Sequence, residues 1–415
     1  MNSRHEQFLK DFPILQSTMR GKPFIYLDSG ATSLTPRQVV DRLNRYYLDY
    51  GVNIHRGVYE FSERATLEYE QTRDKLSSFL GIPKPQSNTS PMGHVIFTKS
   101  TTESANLIAY SWGRVNLKPG DEILTTELEH HSTLVPWHPV TEKTGAVLKF
   151  VPISQMGTYT LEDFTSQLTG KTKLVVFSAM SNVTGFIPPV KEMINAARAA
   201  GAVTVVDGAQ YVSHHRVNIQ DLNPDFLYFS AHKMLGPTGL GVLYGRTPLL
   251  ESMEPFLYGG DMILRVGKYA STYHPLPQKF EAGTPHIAGV IGFSAALDYL
   301  NDLGMDAIRN REKELLTYAL KKAREFQNIQ LFGPGDPEHQ GAILSFNLPG
   351  IHSHDVGTLL DTQGVAVRTG VHCAQPLMEH LGIGGTVRAS MYFYNTFEDI
   401  DALFSGLTRA QEIFG

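Results

Sequence analysis

Asp225-Phe226-Leu227-Tyr228-Phe229-Ser230-Ala231-His232-Lys233 is the stretch on which the fold turns. Its apolar, aromatic centre has the character of a strand. The residues that follow, Gly236-Pro237-Thr238-Gly239-Leu240-Gly241, are too rich in Gly and Pro to remain helical. Lys233 is therefore expected at a strand's end. A lysine there, behind a hydroxyl and an imidazole, suits imine formation with an aldehyde. Alone, Ser230 to Lys233 read more simply as a solvated turn, because short motifs recur by chance.

Neighbouring stretches change that balance. Lys173-Leu174-Val175-Val176-Phe177 is almost continuously apolar, as a central parallel strand should be, and opens into Ser178 to Gly185. Pro188-Pro189 starts a helix over residues 190–200 that Gly201 ends. Ala202-Val203-Thr204-Val205-Val206 is another buried strand, finishing in Asp207-Gly208-Ala209-Gln210. Val95-Ile96-Phe97 leads through Thr98-Lys99-Ser100-Thr101-Thr102-Glu103 into a helix, and Ile123-Leu124-Thr125-Thr126 precedes Glu129-His130-His131-Ser132. Strands alternating with helices imply a parallel sheet whose ligands gather at the carboxyl ends of the strands. Asp207 and Lys233 should meet at that edge. The hydroxyls and free N–H groups after Thr101 could cradle a phosphate, although a plain capping box would use the same residues.

The chain of 415 residues exceeds one ordinary core, so two domains are expected. We place a large one over residues 24–297 and a small one over residues 1–23 and 298–415. Hydrophobic residues at 42% and charged ones at 19% describe a globular protein. A net charge of -5 without a basic stripe argues against nucleic acid. No window suits a membrane span or a signal peptide, which points to the cytoplasm. The single cysteine, Cys373, excludes an internal disulfide and a multi-cysteine metal site, and no metal is expected.

Outside the sheet region, residues 6–15 resemble a short amphipathic helix, and Phe24-Ile25-Tyr26-Leu27 a strand ending in Asp28-Ser29-Gly30-Ala31. His55 and Arg56 lie in a polar loop. Residues 82–91, with three prolines, look like an exposed insertion. A long helical region through residue 324, broken at Gly304, connects to strands at residues 342–347 and 365–368 with a helix between them. Residues 368–376, containing Cys373, read as a loop. A short strand at residues 387–391 and a helix over residues 399–413 close the chain.

Taken together, these groups meet the demands of a pyridoxal phosphate enzyme. Lys233 can form the Schiff base. Asp207, kept ionised beside a cationic ring, can hold the pyridine nitrogen protonated. Thr102, Ser230 and His232 can bind the phosphate. His130 can lie against the ring, with a near-neutral pKa suited to proton transfer.

The chain resembles the class V aminotransferase family of fold-type I pyridoxal phosphate enzymes, and within it the SufS-type (type II) cysteine desulfurases and selenocysteine lyases. The likeness rests on Thr101-Thr102-Glu103, Glu129-His130-His131, Met180-Ser181-Asn182, Val206 to Gln210, Ser230 to Lys233, Phe280 to Pro285, Arg368 to Ala374 and Arg388-Ala389-Ser390, in family order. It implies an α/β fold: a large domain with a mainly parallel seven-stranded sheet flanked by helices, and a smaller α+β domain carrying Cys373 and Arg388.

The resemblance further implies pyridoxal 5'-phosphate as cofactor, with Gln210 and Asn182 near the ring hydroxyl. Thr284 would reach the phosphate from the other subunit of a homodimer. Arg388 would clamp the carboxylate of L-cysteine or L-selenocysteine, with Arg368, His55 and Asn182 nearby. Cys373 would attack the substrate sulfur, leaving alanine and a persulfide for a SufE- or SufU-like acceptor that feeds iron-sulfur cluster assembly. Arg368 and His372 are close enough in sequence to favour its thiolate. Val371, Lys99, Ser100 and Asp261 depart from the usual family residues. Two other readings remain at this point: a lyase or transaminase that does not need Cys373, and a sulfur-carrying scaffold without catalysis.

Overall fold

The computed structural model describes residues 3–83 and 92–414. Seven strands form one sheet: β1 Gly93–Thr98, β2 Glu122–Thr126, β3 Val147–Val151, β4 Thr172–Ser178, β5 Val203–Asp207, β6 Phe226–Ser230 and β7 Gly241–Arg246. Their spatial order is β1-β7-β6-β5-β4-β2-β3. β7 runs antiparallel to both neighbours and the remaining pairs are parallel, which gives the expected α/β class with a mainly parallel sheet. The exception has a local cause. Only a short turn and the Gly/Pro-rich segment separate β6 from β7, too little chain for the crossover that a parallel partner requires.

Both faces of the sheet are buried, as the unbroken apolar runs required. Along β4, Leu174 and Val176 enter one core while Val175 and Phe177 enter the other. In β6, Phe226 and Tyr228 join the first core, Leu227 and Phe229 the second. This period of two, apolar at each step, holds the strand ends rigidly in place. Helix Ile287–Leu303 packs against helices Arg37–Asp49 and Glu60–Phe79 on one face.

A second, four-stranded antiparallel sheet follows the spatial order Gln330–Phe332, Ile343–Asn347, Thr386–Ser390, Arg368–Gly370. Helices Met305–Glu325 and Ser353–Thr362 pack on it, and helix Phe397–Phe414 packs on those two helices, around a separate core that includes Leu315, Phe346, Val356 and Leu403.

The expected strand over residues 365–368 is instead two. Val365–Ala366 pairs in parallel with Ile25–Tyr26, and Arg368–Gly370 joins the second sheet, so the backbone changes partner at Val367. The supposed loop over residues 368–376 is likewise shorter. It starts as a strand and ends in helix Gln375–Leu381, where Pro376 occupies the first turn and lacks no needed N–H. Strand β3 and the exposed hairpin Ile263–Val266 with Ser271–Tyr273 had no counterpart in the sequence reading. Of the proline-rich insertion, residues 84–91 lie outside the described residues. Among the described residues no helix is long and apolar enough to cross a membrane.

Candidate active site

The ends of β4, β5 and β6 stand side by side, with Ser178 opposite Asp207 and Asp207 opposite Tyr228. Ala231–Lys233 forms a single tight turn beyond β6. A cavity of about 390 Å³ opens at this edge, and Asp207, Lys233, Gln210, His130, Thr102 and Cys373 all line it. Asn182, Ser230, His232, Arg368 and Arg388 also line it.

His55 and Thr284 are not brought there within one chain. His55 lines a second cavity of about 450 Å³ with Arg56, Asp261, His274 and Glu281. Local bonds hold it: its N–H donates to the Thr66 hydroxyl at 2.8 Å and its Nε2 pairs with Glu70 at 3.4 Å. Thr284 is exposed. Its loop is anchored by Glu281, which accepts two hydrogen bonds from the buried Arg73, at 2.7 and 2.9 Å.

Asp207 is buried, accepting from the Thr133 hydroxyl and, at 2.8 Å, from the Ala209 N–H. Burial pushes its carboxyl up, against those donors and the charge of Lys233. Burial also pushes Lys233 down to about 8, with Asp207 opposing. His130 differs from expectation. Burial, then the charges of Lys233, His131 and Arg388, push it down to about 4. Its Nδ1 accepts the Ser132 N–H at 3.1 Å, so the ring is neutral near physiological pH rather than poised to titrate.

The donor set fits pyridoxal phosphate. Gln210 donates through Nε2 to the Gly30 carbonyl at 2.7 Å, and its Oε1 is buried with no partner among the described residues. A buried carboxylate such as Asp207 is best served by a cation like a protonated pyridine. Ser230 accepts the Thr101 N–H at 2.8 Å at the start of helix Thr101–Ile108, beside the exposed Thr102. Ser100 caps that helix, accepting from the Glu103 N–H at 3.2 Å.

Cys373 is exposed, as its polar surroundings suggested. It and His372 both adopt left-handed backbone, φ 55° and 49°, a pairing unfavourable for residues with a Cβ. Other segments clasp it. His131 donates its N–H to the Cys373 carbonyl at 2.7 Å, and its Nε2 accepts the Gln375 N–H at 3.0 Å. Asn182 donates through Nδ2 to the His372 carbonyl at 2.7 Å.

His372 does not supply the positive charge expected of it. It is buried against Thr386, with Nε2 2.9 Å from Oγ1, and burial followed by the Arg388 charge pushes it down to about 3. The cations that act on Cys373 are Arg368, Arg388 and Lys233.

The parts played by three residues of the site escaped sequence reasoning. Thr133 fixes Asp207. Glu129, 1% exposed, accepts from Thr126 and from Ser178 of the cavity wall, and burial pushes it up to about 7. Asp28 pairs with both Arg368 and Arg388. It closes an apolar strand as Asp207 does, and that shared pattern was the available signal.

Comparison with known proteins matches this architecture. The model of the aminotransferase class-V family covers residues 25–403. The chain belongs to that family, whose members depend on pyridoxal phosphate. It is 47% identical over 406 residues to a probable cysteine desulfurase of Halalkalibacterium halodurans, covering 98% of each chain. It is 46% identical over 408 residues to one of Staphylococcus aureus, covering 98% of this chain and 97% of that one. Among solved structures, the cysteine desulfurase CsdA of Escherichia coli superposes with a TM-score of 0.89 at 38% identity over 100% of both chains. A cysteine desulfurase of Thermococcus onnurineus gives 0.90 at 38% identity, over 99% of this chain and 98% of the other.

Proposed function

We propose that this chain is a cysteine desulfurase that moves the sulfur of L-cysteine onto its own Cys373. L-cysteine and the Cys373 thiol give L-alanine and a Cys373 persulfide, a balanced exchange needing no outside oxidant or reductant. The observation that carries the reading is that an exposed thiol and a lysine at a strand's end line one cavity.

Bound pyridoxal phosphate supplies an electron sink for the substrate's α-carbon. Lys233 would hold its aldehyde, Asp207 the proton of its ring nitrogen, Gln210 the ring hydroxyl, and His130 the ring face. Thr102, Ser230 and His232 would bind its phosphate, with Thr284 supplied by a second copy of the chain. Lys233 Nζ, lowered to about 8, is partly neutral near physiological pH and can take and return a proton at the substrate α-carbon. Arg388, whose Nε is buried without a partner among the described residues, would receive the carboxylate. Cys373, within electrostatic reach of Arg368, Arg388 and Lys233, would meet the substrate sulfur.

The exposure of Cys373 also suits handing the persulfide to an acceptor protein for iron-sulfur cluster assembly. A nucleophilic thiol needs a reducing compartment, which favours the cytoplasm. The cofactor-holding side would fall in residues 24–297, and the thiol and Arg388 in the unit of residues 1–23 and 298–415. Cys373→Ser tests the assignment: it should abolish alanine release from L-cysteine while the holoenzyme keeps its cofactor absorbance. Undiminished alanine release would overturn it.

A further inference from the structure

The stretch that carries the thiol leaves one part of the fold and docks on another. Strands Arg368–Gly370 and Thr386–Ser390 pair in the second sheet, with Gly370 opposite Thr386. Residues 371–385 run out from that pair and return to it. The two ends are pressed together, since a Cβ on Gly385 would come within 2.8 Å of the Gly370 backbone. Between them, helix Gln375–Leu381 does not bury its apolar side chains in the second core. Ala374, Leu377 and Met378 instead join the core on the Leu227 and Phe229 face of the seven-stranded sheet, and Val371, Leu381 and Ile383 pack against it.

One short segment after β2 receives both ends of that helix. At its start, His131 accepts the Gln375 N–H at Nε2 and donates its own N–H to the Cys373 carbonyl. At its last turn, His380 Nδ1 lies 2.8 Å from Glu127 Oε2. Leu128 and Leu377 meet between these points: a Cβ on Gly157 would stand 3.5 Å from one and 3.6 Å from the other. The other ring nitrogen of His380, Nε2, is buried without a partner among the described residues, so the Glu127 carboxylate orients the ring. A helix held at one end can pivot. Held at both, it fixes the residues that precede it.

We infer that Glu127 and His380 are positioning residues whose pairing pins the far end of the helix after Cys373 to the body that would hold the cofactor, and so sets where the thiol stands. This rests on Cys373 being the sulfur acceptor. Neither side chain lines the cavity, so both act through the helix.

The side chains of His380 and Glu127 are 24% and 35% exposed, and either can be replaced without opening a core. In holoenzyme carrying Glu127→Gln or His380→Gln, the single-turnover rate of alanine formation at saturating L-cysteine should fall about fivefold, the upper range for a partly exposed pair. The half-saturating concentration should stay within about twofold. Exchange of the α-proton of L-alanine in heavy water, which needs no thiol, should also stay within about twofold. The double variant should fall no further than either single one, whereas independent residues would give about 25-fold. That larger fall, or α-proton exchange lost in step with alanine formation, overturns the inference. Amide exchange without L-cysteine separates the pinning from the assignment of Cys373. Residues 375–381 should exchange at least about threefold faster in either variant, with β5 and β6 unchanged. Unchanged exchange there overturns the pinning, and faster exchange with undiminished alanine formation overturns its link to the thiol. Undiminished alanine release by Cys373→Ser removes the assignment beneath both, a result that amide exchange cannot produce.

Discussion

The two walls of the cavity are built on opposite plans. Asp207 and Lys233 stand at the ends of β5 and β6, strands apolar on both faces, and their positions follow from runs that cannot slide along the sheet without drawing Asp207 or Ser230 into a core. Cys373 stands on a left-handed turn that has little reason to persist alone. Hydrogen bonds from His131 and Asn182 keep it in place. One wall is fixed by local pattern and the other by tertiary partners. In the proposed reaction the difference has a chemical use, because a cofactor would have to be held still whereas a nucleophile that receives and surrenders sulfur would have to be reachable.

Removing a clasp should therefore damage the second wall and spare the first. Asn182→Ala deletes the bond to the His372 carbonyl, and alanine release should fall by about a hundredfold, the effect of a small misplacement of a reacting group. Amide exchange at residues 371–375 should quicken while that of β5 and β6 stays slow. Equal loosening of both walls would erase the contrast.

An effect on stability rather than on rate is expected behind the first wall. Glu129 has a folded pKa of about 7, above the ordinary 4.5, so the folded chain keeps a proton that the unfolded chain has released between those values. Stability from this group is thus undiminished below pH 4.5 and falls as pH rises to 7. Glu129→Gln carries no such burden. Its stability relative to the natural chain should grow between pH 5 and pH 8 by up to about 3 kcal/mol, read from denaturant melts. A pH-independent difference would mean that the carboxyl is ionised in place.

Where the sequence could be read, it was read from elements that carry their own pattern. The aromatic run before Ser230, the apolar run before Asp207 and the hydroxyls after Thr98 each placed a residue at the cavity without knowledge of its neighbours. What depended on distant partners was not legible. His372 lies next to Cys373 in the chain, yet its burial against Thr386 keeps it neutral. His130 looked poised to titrate until Lys233 and the cavity wall surrounded it. Asp28 was noticed as part of a turn, but the arginines it joins lie about 340 and 360 positions away in the chain. Thr284, whose proposed use requires another copy of the chain, and His55, which lines the second cavity, mark the same boundary.

The claim that the two walls cooperate in one reaction is tested most directly at the thiol. Holoenzyme is mixed with L-cysteine, quenched within one turnover, and the peptide containing Cys373 is weighed by mass spectrometry. One added sulfur on Cys373, equimolar with the alanine formed, is the expected result. Alanine formed while Cys373 gains no sulfur would contradict it.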